Sequence, residues 1–86
     1  MVMIMPKTKN TVAVNKVQQW CKKNGVDRQS FISMYFAAGL TLHGKHLSPD
    51  TITKIYNGET GINLETAIHV AQAIGASSVS DLFDFE

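Results

Sequence analysis

The sequence predicts a compact all-α domain of five helices. Apolar residues recur at intervals of three and four along most of the chain, and no segment shows the sustained alternation of a sheet. Glycines and capping residues divide the periodic stretches into short helices joined by short links. With 86 residues the chain is long enough for one domain around one core.

Composition excludes several classes of protein. The hydrophobic fraction of 44% is that of a globular chain rather than a disordered one. The single cysteine, Cys21, excludes an internal disulfide and fits a reducing compartment. No apolar run approaches the roughly 20 residues that span a bilayer, and Met1–Met5 is too short for a signal peptide. We therefore expect a cytoplasmic protein.

The net charge of +1 is too small to indicate a partner, but the charges are unevenly distributed. Acidic residues close the chain, and the bases of the first third are Lys7, Lys9, Lys16, Lys22, Lys23 and Arg28. The N-terminal third is therefore the part suited to an anionic surface.

Residues 1–11 show no helical period and are predicted to form an arm, either flexible or a short strand. Lys7 and Lys9 make this arm basic. The first predicted helix covers Val12–Asn24. Its apolar side consists of Val14, Val17, Trp20 and Cys21, and Gly25 ends it.

The second helix begins after Asp27, a favourable cap, and Gly39 is its first expected terminator. Its apolar side consists of Phe31, Ile32, Tyr35 and Phe36. The segment Phe36–His46 has no clear period, so it is predicted to be a loop or a ragged extension of the helix. Its large apolar groups favour burial or contact with a partner.

The third helix, within Ser48–Gly58, has the clearest boundaries. Ser48 can cap it, Pro49 suits the first helical position, and Asp50 lies where the helix dipole favours an anion. Its two predicted sides are an apolar one with Ile52, Ile55 and Tyr56, and a polar one with Asp50, Thr53, Lys54 and Asn57.

Two further helices complete the prediction. The fourth covers Leu64–Ile74, with Asn63 as its cap and Gly75 as its end. The fifth covers Val79–Phe85 and is expected to bury Val79, Leu82 and Phe83.

From residue 12 to residue 84 this order of signals resembles the lambda-repressor-like, Cro-type helix-turn-helix domain. The segments that carry the resemblance are Asp27–Ile32, Leu47–Gly58, Asn63–Ile68, Val70–Ser77 and Asp81–Phe83. The resemblance implies a helix-turn-helix domain over residues 12–86 with an insert at about 36–46. It also implies a third helix that enters the DNA major groove, and a homodimer on a two-fold operator.

The resemblance also implies which residues contact double-stranded DNA. The base-facing positions fall on Pro49, Asp50, Thr51, Thr53 and Lys54, and the phosphate-facing ones on Arg28, Gln29 and Asn57. Together with the helix cap, the predicted contact set is Arg28, Gln29, Ser48, Pro49, Asp50, Thr51, Thr53, Lys54 and Asn57. Lysine can donate to guanine O6 and N7, and aspartate can accept from a cytosine amino group.

Alternatives stand beside these assignments. Asp50 is also explained as a partner of the helix dipole, and Lys22 and Lys23 as a favourable helix end rather than a phosphate clamp. The turn before the third helix is about ten residues longer than in the family, and Glu59 follows where the family often has a base. The apolar insert, the acidic C-terminal tail and a reading face whose one base is Lys54 also fit a protein-interaction module, such as an antitoxin-like partner of another protein.

No motif indicates an enzyme, and no cofactor is implied. The chain shows no glycine-rich phosphate loop, paired catalytic carboxylates or nucleophile–base motif. His43 and His46 fall short of the three or four ligands of a metal site, so no metal is expected. Cys21 lies on an apolar helix side and is expected to be a core residue.

Overall fold

The computed structural model describes residues 11–85. Within them lie four helices, two strands and one 3₁₀ turn, in the order β1 (Val12–Asn15), α1 (Val17–Asn24), α2 (Arg28–Ala37), α3 (Pro49–Tyr56), α4 (Leu64–Ile74), the turn Val79–Asp81 and β2 (Phe83–Phe85). No helix in this part of the chain has the length and apolar character needed to cross a bilayer. Apart from Thr11, the predicted N-terminal arm, with Lys7 and Lys9, lies outside the described residues.

The prediction of an all-α, five-helix domain is wrong. The first four residues of the expected first helix form β1, and the end of the expected fifth helix forms β2. These strands make a two-stranded antiparallel sheet that pairs Val12 with Phe85, Val14 with Asp84 and Asn15 with Phe83. The fold is therefore four helices closed by a small sheet that joins both ends of the described chain.

The environment of β1 explains why a strand forms there. Val12 is 2% exposed and Val14 is 48% exposed, whereas a helix starting at Val12 was predicted to bury Val14. The Val12 N–H donates to the carbonyl of Ile62 at 2.8 Å, and the Val12 carbonyl accepts from Gly61 N at 3.1 Å. Strand β1 thus satisfies its backbone against β2 on one side and the α3–α4 link on the other.

Two of the three side chains predicted to be buried in the C-terminal segment are buried, but the backbone that carries them is not an α-helix. Leu82 and Phe83 are both fully buried. Helical structure in this segment is limited to the 3₁₀ turn Val79–Asp81, and Phe83, Asp84 and Phe85 then alternate between buried, exposed and half-buried. That alternation is the pattern of a strand with one face on the core.

The three middle helices match the sequence prediction closely because their ends are set by local chemistry. The Asp27 carboxylate accepts from Ser30 N at 2.7 Å, and this bond lowers the pKa of Asp27. The Asn63 side chain accepts from Thr66 N at 2.9 Å. Gly75 ends α4 in the left-handed conformation, as Gly25 ends α1.

The core draws on every helix and both strands. Phe31 and Tyr35 of α2 and Ile52 and Ile55 of α3 are among its largest fully buried side chains. Cys21 of α1 belongs to the same core, as predicted, and burial raises the pKa of its thiol to about 11. The thiol is therefore protonated at neutral pH and behaves as a small apolar group.

The long connection between α2 and α3 is not a helical extension. Helix α2 ends at Ala37, and the loop then folds into a two-residue hairpin in which Leu42 and Lys45 exchange backbone hydrogen bonds of 2.7 and 3.1 Å. Its central residues, His43 and Gly44, both have positive φ, of 54° and 81°. These values are typical of a type I′ turn, in which glycine relieves strain at the second position.

Candidate nucleic-acid interface

Helix α3 has the start that the sequence predicts. The Ser48 Oγ accepts from Thr51 N at 3.2 Å, Pro49 occupies the first helical turn, and Asp50 adds a negative charge there. Because the cap satisfies a free N–H and the acid faces the positive end of the helix dipole, the boundary is fixed locally.

The two sides of α3 differ in exposure. Ile52 and Ile55 are buried against the core, and Tyr56 is half-buried. Of the predicted contact residues on this helix and its cap, Thr51 and Thr53 are half-buried, and the exposed ones are Ser48, Pro49, Asp50, Lys54 and Asn57. The structure therefore exposes five of the seven predicted contact residues on α3 and its cap and leaves the two threonines half-buried.

The hydroxyl groups of this surface are already engaged within the helix. The Ser48 Oγ and Thr51 Oγ1 lie 3.0 Å apart, and the Thr53 hydroxyl donates to the Pro49 carbonyl at 2.8 Å. The side chains whose polar groups make no such bonds within residues 11–85 are Asp50, Lys54 and Asn57. Base readout by α3 would rest mainly on these three.

Charge at the interface is mixed. Within residues 11–85 the Lys16 ammonium pairs with Asp84 and the His43 ring contacts Glu65, so Lys54 is not neutralised by a neighbouring carboxylate there. However, Lys54 and Glu59 line the same groove, of about 230 Å³, between α3 and the first turn of α4. A phosphate near this groove would meet one cation and one acid.

The other two predicted contacts lie on α2. Arg28 and Gln29 are exposed in its first turn. Phe31 ends that turn. It packs on Tyr56 at the end of α3, with ring centroids 5.7 Å apart. The start of α2 therefore lies beside the end of α3, where Asn57 is found.

Asn15 holds the C-terminal end of α3, and sequence reasoning missed it. Its Nδ2 donates to the carbonyls of Ile55 at 2.9 Å and Glu59 at 2.8 Å, and its Oδ1 accepts from Val17 N at 2.9 Å. The bond to Val17 two residues later is an Asx turn, which the Asn-Lys-Val sequence could have indicated. The bonds to α3 span 40 residues or more and leave no local signal.

Tyr35 and His69 hold the N-terminal end, and they were also missed. The Leu47 N–H donates to the Tyr35 Oη at 2.9 Å, and that oxygen lies 2.5 Å from His69 Nε2. Tyr35 was predicted only as a core aromatic, and His69 received no role. Both ends of α3 are thus tied to other elements by side-chain hydrogen bonds.

The hairpin after α2 reaches α4 instead of extending along α3. Its His43 Nε2 lies 3.1 Å from Glu65 Oε1, and His46 Nδ1 lies 2.8 Å from the Leu40 carbonyl. The fold thus brings a carboxylate to His43 that the local sequence lacks. His46 is turned towards a backbone carbonyl, so the two histidines do not converge on one centre with Glu65.

Lys22 and Lys23 remain in the last turn of α1, next to the negative end of its dipole. Lys23 lines a separate groove between α1 and the 3₁₀ turn, together with Lys16, Gln19, Trp20, Asn24, Ser80 and Asp81. The groove mixes both signs of charge and does not include residues of α3.

No family model, curated protein or solved structure matches the chain in the three comparisons made. The geometry and chemistry of α3 and its neighbours are therefore the basis for assigning a function.

Proposed function

We propose that this protein is a sequence-specific DNA-binding transcriptional regulator of bacterial or phage type, working in the cytoplasm as a homodimer without catalysis. Helix α3 is its recognition element and enters the major groove. The observation that supports this most is that α3 is capped, fixed at both ends by Tyr35 and Asn15, and exposes Asp50, Lys54 and Asn57 together. Base reading requires a rigid element with free polar groups on one side.

Each contact residue then has a role that fits its chemistry. Lys54 donates to guanine in the major groove, and Asp50 accepts from a cytosine amino group. Arg28 and Gln29 position the protein on phosphates beside the end of α3. Each protomer contributes two cations, Arg28 for a phosphate and Lys54 for a base edge. A dimer therefore contributes about four.

The direct test is a selection from random double-stranded DNA with the purified protein at low salt. We expect enrichment of a motif with two-fold symmetry, and binding whose log–log salt slope is shallow, at about −2 for the two phosphates that the Arg28 side chains of a dimer neutralise. Absence of any enriched motif would contradict the proposal.

The variant Lys54→Ala localises the interaction. Loss of a base contact is expected to weaken binding to the enriched motif by about 10- to 100-fold while changing random DNA much less. Lys23→Ala is the matched control, because it removes the same charge from the groove between α1 and the 3₁₀ turn. Equal loss of specificity in both variants would contradict a reading role for Lys54.

A second function, a protein-interaction module, is favoured by two observations. Leu40 and Ile68 are 37% and 38% exposed and lie outside the core cluster, and Asp50 and Glu59 place acids near Lys54. Such a module would bind another protein through these aliphatic groups, as an antitoxin-like partner does. Co-purification of a stoichiometric protein, combined with a failed DNA selection, would support it over the regulator.

A further inference from the structure

A buried chain of hydrogen bonds joins α2, α3 and α4. It runs from the Leu47 N–H to the Tyr35 Oη over 2.9 Å and from that oxygen to His69 Nε2 over 2.5 Å. Tyr35 is fully buried and His69 is 5% exposed. In the described residues His69 is the one buried histidine, and Nε2 of its ring is the atom that meets Tyr35.

The directions of these bonds follow from what each group can do. A backbone N–H only donates, so the Tyr35 oxygen accepts from Leu47. In the neutral tautomer of His69 that carries its proton on Nδ1, Nε2 accepts the phenol proton, and each hydrogen of the chain then has a partner. Neutral His69, with its proton on Nδ1, is therefore the form that completes the chain.

Protonation of His69 breaks this arrangement. A protonated Nε2 is a donor, so two donors would face the Tyr35 oxygen and the phenol proton would lose its acceptor. The phenol proton, left without an acceptor in a buried site, then carries a desolvation penalty. That penalty weakens the hydrogen bonds that Tyr35 makes to His69 and Leu47.

The groups around His69 also disfavour its charged form. Helix α2 offers the neutral Tyr35, the loop offers His46, and Glu65 on α4 is engaged with His43. No described carboxylate pairs with His69. Burial lowers the pKa of His69, and the nearby His46 lowers it further.

We propose that Tyr35 and His69 are positioning residues for α3 and form a proton-sensitive latch on its first turn. Neutral His69 holds Tyr35, which holds Leu47 directly before the Ser48 cap. Protonation releases Leu47 and lets the start of α3 move away from α2 and α4. The latch can regulate DNA contact because Ser48, Pro49 and Asp50 directly follow Leu47. This part of the proposal rests on the proposed function.

The sign of the pH effect is fixed by the lowered pKa. The unfolded chain has a histidine near the ordinary value of 6.5, and the folded chain a lower one. Below pH 6.5 the unfolded state therefore binds more protons. Stability falls as the pH drops from about 6.5 until the folded-state value is reached, and below that it no longer depends on His69.

The test follows the Leu47 amide in the full chain by NMR from pH 8 downward, through the midpoint of the His69 ring titration. As the His69 ring titrates, the protection factor of the Leu47 N–H is expected to fall about tenfold, the amount one hydrogen bond contributes. In His69→Gln, whose side-chain oxygen can accept from Tyr35 and does not titrate, protection should stay constant. In Tyr35→Phe it should be low at every pH.

The control His46→Gln removes the neighbouring imidazole and keeps the latch. In this variant the pKa of His69 should rise while Leu47 still follows it. Constant Leu47 protection while His69 titrates in the wild type would overturn the proposal. This readout needs no variant, so it stands even if Tyr35→Phe fails to fold.

DNA binding is measured separately with the selected motif at pH 7.5 and at a pH below the midpoint of the His69 titration found by NMR. Acidification adds positive charge and ordinarily strengthens attraction to phosphate, so weaker binding is distinctive. Below that midpoint we expect about tenfold weaker binding for the wild type, corresponding to one lost hydrogen bond, and no weakening in His69→Gln. A coupled Leu47 response without DNA binding at any pH would support the latch and contradict the proposed function. Tight DNA binding at both pH values, with Leu47 protection that does not follow His69, would contradict the latch and support the proposed function.

Discussion

Asn15 shows how one side chain can fix the position of a helix that it does not belong to. It makes three hydrogen bonds, two of them to carbonyls at the end of α3, and it is only half-buried. Carbonyls at a helix end need partners, because the helix itself does not satisfy them. Asn15 therefore supplies to the end of α3 what Ser48 supplies to its start.

We expect Asn15→Ala to lower the free energy of unfolding by about 1–3 kcal/mol, because the Ile55 and Glu59 carbonyls each lose a hydrogen bond, although Ile55 keeps the one from Gly58 N. The control is Asn24→Ala, which removes one exposed bond to the Trp20 carbonyl at 2.8 Å and should change stability by less than about 0.5 kcal/mol. Urea denaturation of both variants measures the difference. Equal effects would contradict the structural role of Asn15.

Capping residues could be predicted from the sequence, and the buried connections could not. Ser48, Asp27 and Asn63 each act on an amide three residues away, so the signal is local. The Tyr35–His69 bond joins residues 34 apart in the chain. A single sequence carries no local signal of such pairing. Tyr35 was therefore predicted only as part of an apolar helix side, and His69 was given no role.

Among the elements, the small sheet is where sequence reasoning failed. Val14 and Val17 have a spacing that suits a helix, and four residues are too few to establish alternation. The partner strand lies some seventy residues further on, and its Phe-Asp-Phe alternation is equally short. Pairing between the chain ends, which decides both segments, is a tertiary effect that overrides local propensity.

A matched pair of variants tests the strand. Val12→Thr keeps the shape of the side chain but buries a hydroxyl, which should lower the free energy of unfolding by about 1–3 kcal/mol. Val14→Thr places the same group at a 48% exposed position and should change stability by less than about 0.5 kcal/mol. Thermal unfolding followed by circular dichroism distinguishes them. A larger loss at Val14 would favour the helical register and contradict β1.

The bounds of α2, α3 and α4 agree with prediction. For the segment before α3, the sequence did not decide between a loop and a helical extension. The structure resolves this by a hairpin whose His43–Gly44 turn has positive φ at both central positions. The sequence indicates a glycine break there, but the contact of His43 with Glu65 depends on where α4 lies. The hairpin therefore supports α4, while Tyr35 ties its last residue, Leu47, to α2.

For the whole molecule, the sheet that joins the two ends of the described chain also supports the candidate interface. Strand β1 links β2 to residues 61–63 and, through Asn15, to the end of α3. The N- and C-terminal parts of the described chain thus stabilise the helix proposed to read DNA. The surface side of α3 was correctly predicted, because amphipathic spacing gives the orientation of a helix even when its partners are unknown.

The most direct test of the central claim is an NMR titration of the labelled protein with a duplex carrying the selected motif. Amide shifts are expected to change in Ser48–Asn57 and at Arg28 and Gln29. The exposed side of α4, with Glu65, Ile68 and Gln72, should change little. Changes confined to Leu40 and α4, or none at saturating DNA, would contradict recognition by α3.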